Sequence, residues 1–214
     1  MADHLLSPYR AVVSAQLRSQ LSYRSSFWTN LAASFALGLL EFVEIYVLLT
    51  VSPVLGGLTF AQATLVFALA NLGFALADLV CGQIDSMPTF IRQGQLDGYL
   101  LRPLPLLPQM MTATFELRRL GRAAFGVLAL IMACVWLDLD WSVSTIYLMI
   151  ITPLIGALIH GALFVLAGGL QFWLVDGAEF TNGFVYGSSY AGQVPGSVLL
   201  APAKIFFTFV IPAT

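Results

Sequence analysis

The chain has 214 residues, of which 59% are hydrophobic and only 9% are charged, and its mean hydropathy is +0.88. Soluble proteins carry about 25% charged residues, so an ordinary soluble domain is excluded and most of the chain is expected to lie in lipid. The net charge of −2 excludes a broad basic surface, and nucleic acid is therefore not an expected partner.

The first 29 residues are predicted to form an amphipathic helix that is cytoplasmic or lies in the membrane interface. In residues 8–24, apolar side chains recur every four positions, and Arg10, Ser14 and Arg18 form a polar stripe beside them. A helix with two such faces is typical of the membrane interface. A cleaved signal peptide is not expected, because the following apolar run is longer than a signal-peptide core and contains two acidic residues.

The remaining residues, 30–214, are predicted to form the transmembrane domain. Four apolar runs are predicted to cross the membrane, and the first of them is long enough, at 1.5 Å per residue, to cross a hydrocarbon core of about 30 Å. These predicted spans cover residues 30–51, 59–84, 121–137 and 143–166. Eight of the nine basic side chains precede the first span or lie in one stretch from Arg92, after the second span, to Arg122, at the start of the third span. The positive-inside rule therefore predicts that the N terminus and the loop at about 85–120 are cytoplasmic.

The apolar sequence continues beyond the fourth span, and Gly168 and Gly169 are its only candidate turn. We predict a fifth span at about 170–190. The alternative is a soluble inner loop at 171–182, because this stretch carries polar residues such as Asp176.

A last apolar run at 205–210 is too short to cross a membrane. It is expected to be a re-entrant or interfacial piece, or the first part of a further span. Together these runs predict an all-α, polytopic helical membrane protein with about five or six spans in a lipid bilayer.

Two acidic residues, Glu41 and Glu44, lie near the middle of the first span and share one helix face because they are three residues apart. An acid within the membrane costs about 2.5–3.5 kcal/mol on insertion scales, so it should face protein or water. Together with Asp176, these residues are candidates for lining the path of a cationic or amphipathic substrate. The alternative for the pair is structural, as protonated acids hydrogen-bonded across a subunit interface.

Four charged residues at the start of the third span are expected to anchor the chain at the inner membrane surface through local ion pairs. They are Glu116, Arg118, Arg119 and Arg122. His160 in the fourth span is expected to pack among small residues and make a hydrogen bond, because no second metal ligand lies at a suitable spacing. No residue pattern indicates a catalytic or metal site.

The most distinctive stretch is the loop between the second and third spans. Residues 94–109 combine a large apolar surface with three prolines, which prevent one continuous helix. Apolar side chains in the loop would be exposed unless a partner or the membrane covers them. They are Tyr99, Leu100, Leu101 and Leu104. We therefore expect a partner to dock here.

The pattern G-x-x-D-x-Y-L-L-R-P-L-x-x-L-x-Q in this loop resembles the permease subunits of ABC transporters of the ABC-2 type. The residues that carry it are Gly94, Asp97, Tyr99, Leu100, Leu101, Arg102, Pro103, Leu104, Leu107 and Gln109. The resemblance covers nearly the whole chain in order and spacing.

The resemblance implies the transmembrane subunit of an ABC exporter in the cytoplasmic (inner) membrane, paired with a second copy or a homologous permease. In that family, short cytoplasmic helices seat in grooves on two separate ATPase subunits. The loop residues from Gly94 to Pro103 would therefore couple to the ATPase, with Asp97 and Arg102 as polar contacts. The simpler alternative is that Arg102 meets lipid phosphates and that Asp97 and Gly98 form a turn.

The sequence contains no G-x-x-x-x-G-K-[ST] phosphate loop. The chain is therefore not expected to be an enzyme or to bind a cofactor, and ATP and magnesium would belong to the partner ATPase. One alternative function is a transporter or channel driven by an ion or proton gradient, with Glu41, Glu44 and Asp176 titrating along the path. Another is an accessory membrane protein that recruits a partner through the loop without transport.

Overall fold

The computed structural model describes residues 2–51, 57–174, 178–194, 196 and 199–210, and its regular elements are helices. The α-helices in these ranges are α1 (Ala2–Ser22), α2 (Arg24–Val51), α3 (Phe60–Cys81), α4 (Met87–Arg92), α5 (Gln95–Leu100), α6 (Leu106–Ala113), α7 (Arg119–Trp136), α8 (Val143–Leu170), α9 (Ala178–Gln193) and α10 (Ala201–Ile205). A 3-10 turn at Gly82–Ser86 follows α3, and a π-helical turn at Phe206–Val210 follows α10. The predicted all-α architecture is confirmed.

Four helical stretches in the described residues are long and apolar enough to cross a membrane. They are Arg24–Leu48, Phe60–Arg92, Arg119–Trp136 and Val143–Leu170. All four correspond to predicted spans, although the first begins six residues earlier and the second continues through α4. The helical N-terminal segment is also present as α1, while its place in the membrane interface stays a prediction.

The predicted turn at Gly168 and Gly169 is wrong, because α8 runs through both residues and the chain turns at 171–174. Gly168 is a packing position: a Cβ there would collide with the side chain of Ile84. Its small size is therefore explained by the close approach of the 3-10 turn.

The predicted fifth span at 170–190 has the wrong boundaries. The corresponding helix, α9, begins at Ala178 and has 16 residues, or about 24 Å, which is shorter than the hydrocarbon core. The alternative, an inner loop at 171–182, agrees with the turn at residues 171–174. It does not agree with α9, which begins at Ala178, inside the range of that loop. Asp176 lies outside the described residues.

Helix α3 is central and packs against α7, α8 and α9. Glycines allow these helices to approach closely, which is how helices associate in lipid, where apolar burial gives little drive. A Cβ at Gly73 of α3 would lie 3.2 Å from the α8 backbone at Pro153 and Gly156. A Cβ at Gly121 of α7 would collide with the α2 backbone at Leu31.

The two ends of the bundle differ in what they carry. One end of the bundle carries α4, α5 and α6, and we call it the loop end. Helices α2, α7 and α9 begin at this end, and α3 and α8 end there. At the opposite end, α3 begins beside the last residue of α7, with the rings of Phe60 and Trp136 5.4 Å apart. The polar side chains described next lie between the loop end and the middle of the bundle.

Candidate functional site

The segment α4 to α6 forms a small packed unit with its own core. Its buried side chains are Met87, Phe90, Leu96 and Met110. The ring of Tyr99 packs edge-on against Phe90 at 5.9 Å between centroids, so Tyr99 is half-buried. The predicted exposure is confirmed for Leu100 and Leu101, which are 59% and 87% exposed, and is wrong for Tyr99 and Leu104, which are half-buried.

Two residues of the sequence pattern hold the loop in shape. Gly94 joins α4 to α5 with a φ of 65°, a left-handed conformation that glycine adopts without strain. Gln109 is buried, and its Nε2 donates hydrogen bonds to the carbonyl oxygens of Tyr99 at 3.2 Å and Leu104 at 2.9 Å. Gln109 therefore closes the loop between α5 and α6, a role that spacing alone did not reveal.

The exposed side chains at the end of this unit form one surface, which we call the loop tip. It consists of Asp97, Leu100, Leu101, Arg102 and Pro103. The guanidinium of Arg102 lies 5.0 Å from the centroid of the Tyr99 ring, within cation–π range. The tip therefore presents two leucines and two opposite charges on a packed support with its own core.

Glu41 is the centre of a polar network that joins four helices. Its side chain in α2 forms an ion pair with Arg122 of α7. The same carboxylate accepts hydrogen bonds from Asn71 Nδ2 of α3 at 3.1 Å and Gln193 Nε2 of α9 at 3.2 Å. Glu41 is 8% exposed, so its charge is balanced within the bundle. We call these four residues the Glu41 network.

A second set of charged contacts lies closer to the loop end. Arg119 pairs with Asp78 of α3 and lies 3.4 Å from Glu116, while Arg118 pairs with Glu116 at 2.8 Å. Local pairing is therefore confirmed for Glu116, Arg118 and Arg119. The prediction of a local partner is wrong for Arg122, and Arg119, whose side chain is 11% exposed, also binds a neighbouring helix. The reason is that α7 begins against α2 and α3.

Two cavities meet at Glu41. One, of about 470 Å³, opens at the loop end, and we call it the charged cleft. Its charged lining residues are Glu41, Asp78, Asp85, Glu116, Arg118, Arg119 and Arg122. The other, of about 340 Å³, we call the acidic cavity because Glu41 and Glu44 are its charged lining residues and its other walls include Ile45, Leu48 and Tyr190. The Glu41 network lies at their junction.

The two predicted acids of the first span have different surroundings. Glu44 is exposed, and it makes no hydrogen bond or ion pair within the described part of the chain, whereas Glu41 is buried and paired. Glu41 is thus paired with Arg122 of its own chain, a partner that the sequence reading missed. One signal was available, since a carboxylate within a span requires a partner and Arg122 lies deepest among the basic residues of the third span.

His160 is a packing residue, as predicted. It is buried, its Nδ1 lies 2.9 Å from the carbonyl oxygen of Gly156, and its ring meets Phe74 edge-on at 5.3 Å. Nearby, the hydroxyl of Tyr186 donates to Asp85 at 2.7 Å and joins α9 to the 3-10 turn.

Comparison with known proteins adds one finding to this geometry. A family model described as "ABC-2 family transporter protein" matches residues 35–214. The matched range includes the loop and every member of the Glu41 network. No curated protein and no solved structure matches the chain.

Proposed function

The chain belongs to the ABC-2 transporter family, and from that premise we propose that it is the permease subunit of an ABC exporter whose ATP is hydrolysed by a separate ATPase. Membership supports a multi-pass membrane protein that works with an ABC ATPase. The proposal adds the direction of transport, the coupling surface and the substrate path. ATP and magnesium belong to the ATPase in this scheme.

The loop tip is the observation that carries the proposal. Exposed leucines are costly in water unless a partner covers them, and Leu100 and Leu101 are held outward by a packed unit with its own core. A rigid support of this kind transmits a displacement, whereas a flexible loop would absorb it. Asp97 and Arg102 beside the leucines offer both signs of charge for a specific contact with the ATPase.

The two cavities supply the proposed substrate path. The charged cleft and the acidic cavity both border Glu41, so rearrangement of the Glu41 network would connect them. The acidic cavity combines carboxylates with apolar and aromatic walls, which suits an amphipathic cation. ATP-driven movement of the loop tip would supply the energy to break and reform the network.

The orientation follows from charge. Eight of the nine basic side chains lie in the N-terminal segment or in the stretch from Arg92 to Arg122, so we assign the loop end to the cytoplasm and the chain to the cytoplasmic membrane. A second copy or a homologous permease would complete the transporter, as the family implies.

The proposal is tested by ATP hydrolysis in lipid nanodiscs that contain the chain and its co-purified ABC ATPase. We expect Arg102→Ala and Asp97→Ala to lower permease-dependent hydrolysis at least about fivefold, a loss of about 1 kcal/mol of contact energy, while the complex still assembles. Gln95→Ala is the matched control, because Gln95 is exposed on α5, the helix that carries Asp97, and its side chain bonds Gln93, which lies outside the loop tip. Equal hydrolysis by all four proteins would refute the coupling role.

A further inference from the structure

Two glutamines of α1 bind the backbone of the segment that leaves the loop unit, residues 112–117. Gln16 Nε2 donates to the carbonyl oxygens of Thr112 at 3.3 Å and Ala113, and its Oε1 accepts the N–H of Phe115. Gln20 repeats the arrangement, since its Nε2 donates to the carbonyl of Phe115 and its Oε1 accepts the N–H of Leu117 at 2.9 Å. We call this arrangement the glutamine clamp.

The clamp depends on the spacing of the two glutamines in α1. Gln16 and Gln20 are four residues apart, so they lie on one helix face with an axial separation of about 6 Å. The backbone N–H groups that they bind belong to Phe115 and Leu117, which lie in the stretch 114–118 outside any helix. The two glutamines therefore bind successive points along the segment.

The clamp satisfies backbone groups that the local structure leaves without partners. Residues 114–118 lie between α6 and α7, outside any helix, and Leu117 is buried. A buried backbone N–H or C=O without a hydrogen bond costs about 1–3 kcal/mol. Gln16 and Gln20 therefore fix the position of this segment relative to α1.

The clamp also connects the loop to the helix that carries Glu41. Only Tyr23 separates α1 from α2, and the N–H of Phe27 bonds the carbonyl of Tyr23 at 3.0 Å, so the two helices are joined directly. A cavity of about 660 Å³ lies between the start of α2 and the segment. The start of α2 and the segment do not pack tightly against each other across this cavity, and the side chains of Gln16 and Gln20 line it.

We propose that Gln16 and Gln20 are positioning residues, which make α1 and the start of α2 move with the loop when the loop tip is displaced. The source of that displacement rests on the proposed function. A competing route runs through Thr114, whose hydroxyl donates to Gln83 Oε1 at 2.7 Å and so ties the segment to the 3-10 turn after α3. The two routes make different predictions for α2.

The first test measures hydrogen–deuterium exchange on the chain alone in lipid nanodiscs. In the double variant Gln16→Met and Gln20→Met, side-chain length is kept and hydrogen bonding is lost. We expect the amides of Phe115 and Leu117 to exchange about tenfold faster than in the wild type. Ser19→Ala is the control, because Ser19 lines the same cavity and its side chain makes no hydrogen bond in the described residues. Unchanged exchange in the double variant overturns the clamp.

The second test repeats the exchange measurement on the complex with the ATPase, with and without ATP. We expect ATP to change exchange at residues 24–34 in the wild type and to leave them unchanged in the double variant, while residues 95–104 still respond. A full response at 24–34 in the variant would overturn the positioning role in favour of the other contacts of the segment, through Gln83 or through α7. If no ATPase associates at all, the proposed function fails and the transmission with it, while the first test still decides whether the clamp exists.

Discussion

Glu41 illustrates at the residue scale how a single charge is accommodated inside a bundle of apolar helices. A buried ion pair adds little net stability, but removal of one partner leaves an unpaired buried charge. The pair joins residues 81 positions apart in the chain, and Asn71 and Gln193 satisfy the second carboxylate oxygen. Glu41 is therefore expected to matter for folding as well as for any substrate path.

We predict that Glu41→Gln lowers the free energy of unfolding by about 3 kcal/mol, because Arg122, whose side chain is only 15% exposed, then loses its counter-ion. Arg122→Gln in the same chain should restore most of that loss. Thermal unfolding of both single variants and of the double variant in lipid gives the coupling energy. Glu44→Gln is the control, since Glu44 is exposed and unpaired in the described structure. Similar unfolding temperatures for Glu41→Gln and Glu44→Gln would contradict the prediction.

Gln109 has a local role in shaping the loop, so its replacement should have a local effect. Gln109→Leu keeps the volume but removes the hydrogen bonds to Tyr99 and Leu104, and we expect the loop to open more often by a factor of about ten. Limited proteolysis at 99–104 should accelerate accordingly, while thermal unfolding of the spans changes little. Gln95→Leu on the exposed side of the same unit serves as the control. Unchanged proteolysis of Gln109→Leu would exclude this role.

At the scale of elements, the adjacent glycines of α8 show why sequence alone misplaced a turn. A glycine pair resembles a helix end, but Gly168 faces Ile84 at a close contact while Gly169 has no neighbour within 4 Å of its Cβ position. Only the packing of α8 against the 3-10 turn distinguishes these two positions. Because Gly168 has no side chain, α8 can lie against Ile84 and remain helical through both glycines.

The two glycines therefore give a matched pair of substitutions. Gly168→Ala should destabilise the protein by about 1–3 kcal/mol, since the new methyl group collides with the buried Ile84. Gly169→Ala should stabilise it by up to about 1 kcal/mol, because alanine favours the helix over glycine and meets open space. Thermal unfolding in lipid checks both. Equal losses at the two positions would indicate that both glycines are needed for a turn.

For the whole molecule, predictions from the sequence were most accurate for features that depend on one continuous stretch of chain. Span length, the position of the basic residues and the loop pattern are all local. The structure has helices long and apolar enough to cross a membrane at the four predicted spans, and the exposure of Leu100 and Leu101 is confirmed. The Glu41–Arg122 pair and the glutamine clamp were missed because each joins residues more than 80 positions apart. Such contacts depend on how helices pack, which hydrophobic periodicity does not specify.

The proposed path makes a prediction for the whole transporter. In vesicles containing the complex, we expect ATP-dependent transport of a lipophilic quaternary ammonium dye to fall about fivefold in Glu44→Gln, because the acidic cavity loses one of its two carboxylates while the Glu41 network remains. ATP hydrolysis should stay near the wild-type rate, since Glu44 is remote from the loop tip. Asp138→Asn removes an exposed charge outside both cavities and is the control. Undiminished dye transport in Glu44→Gln would show that a substrate cation does not depend on this carboxylate, and an anionic dye carried equally well would refute the cation preference itself.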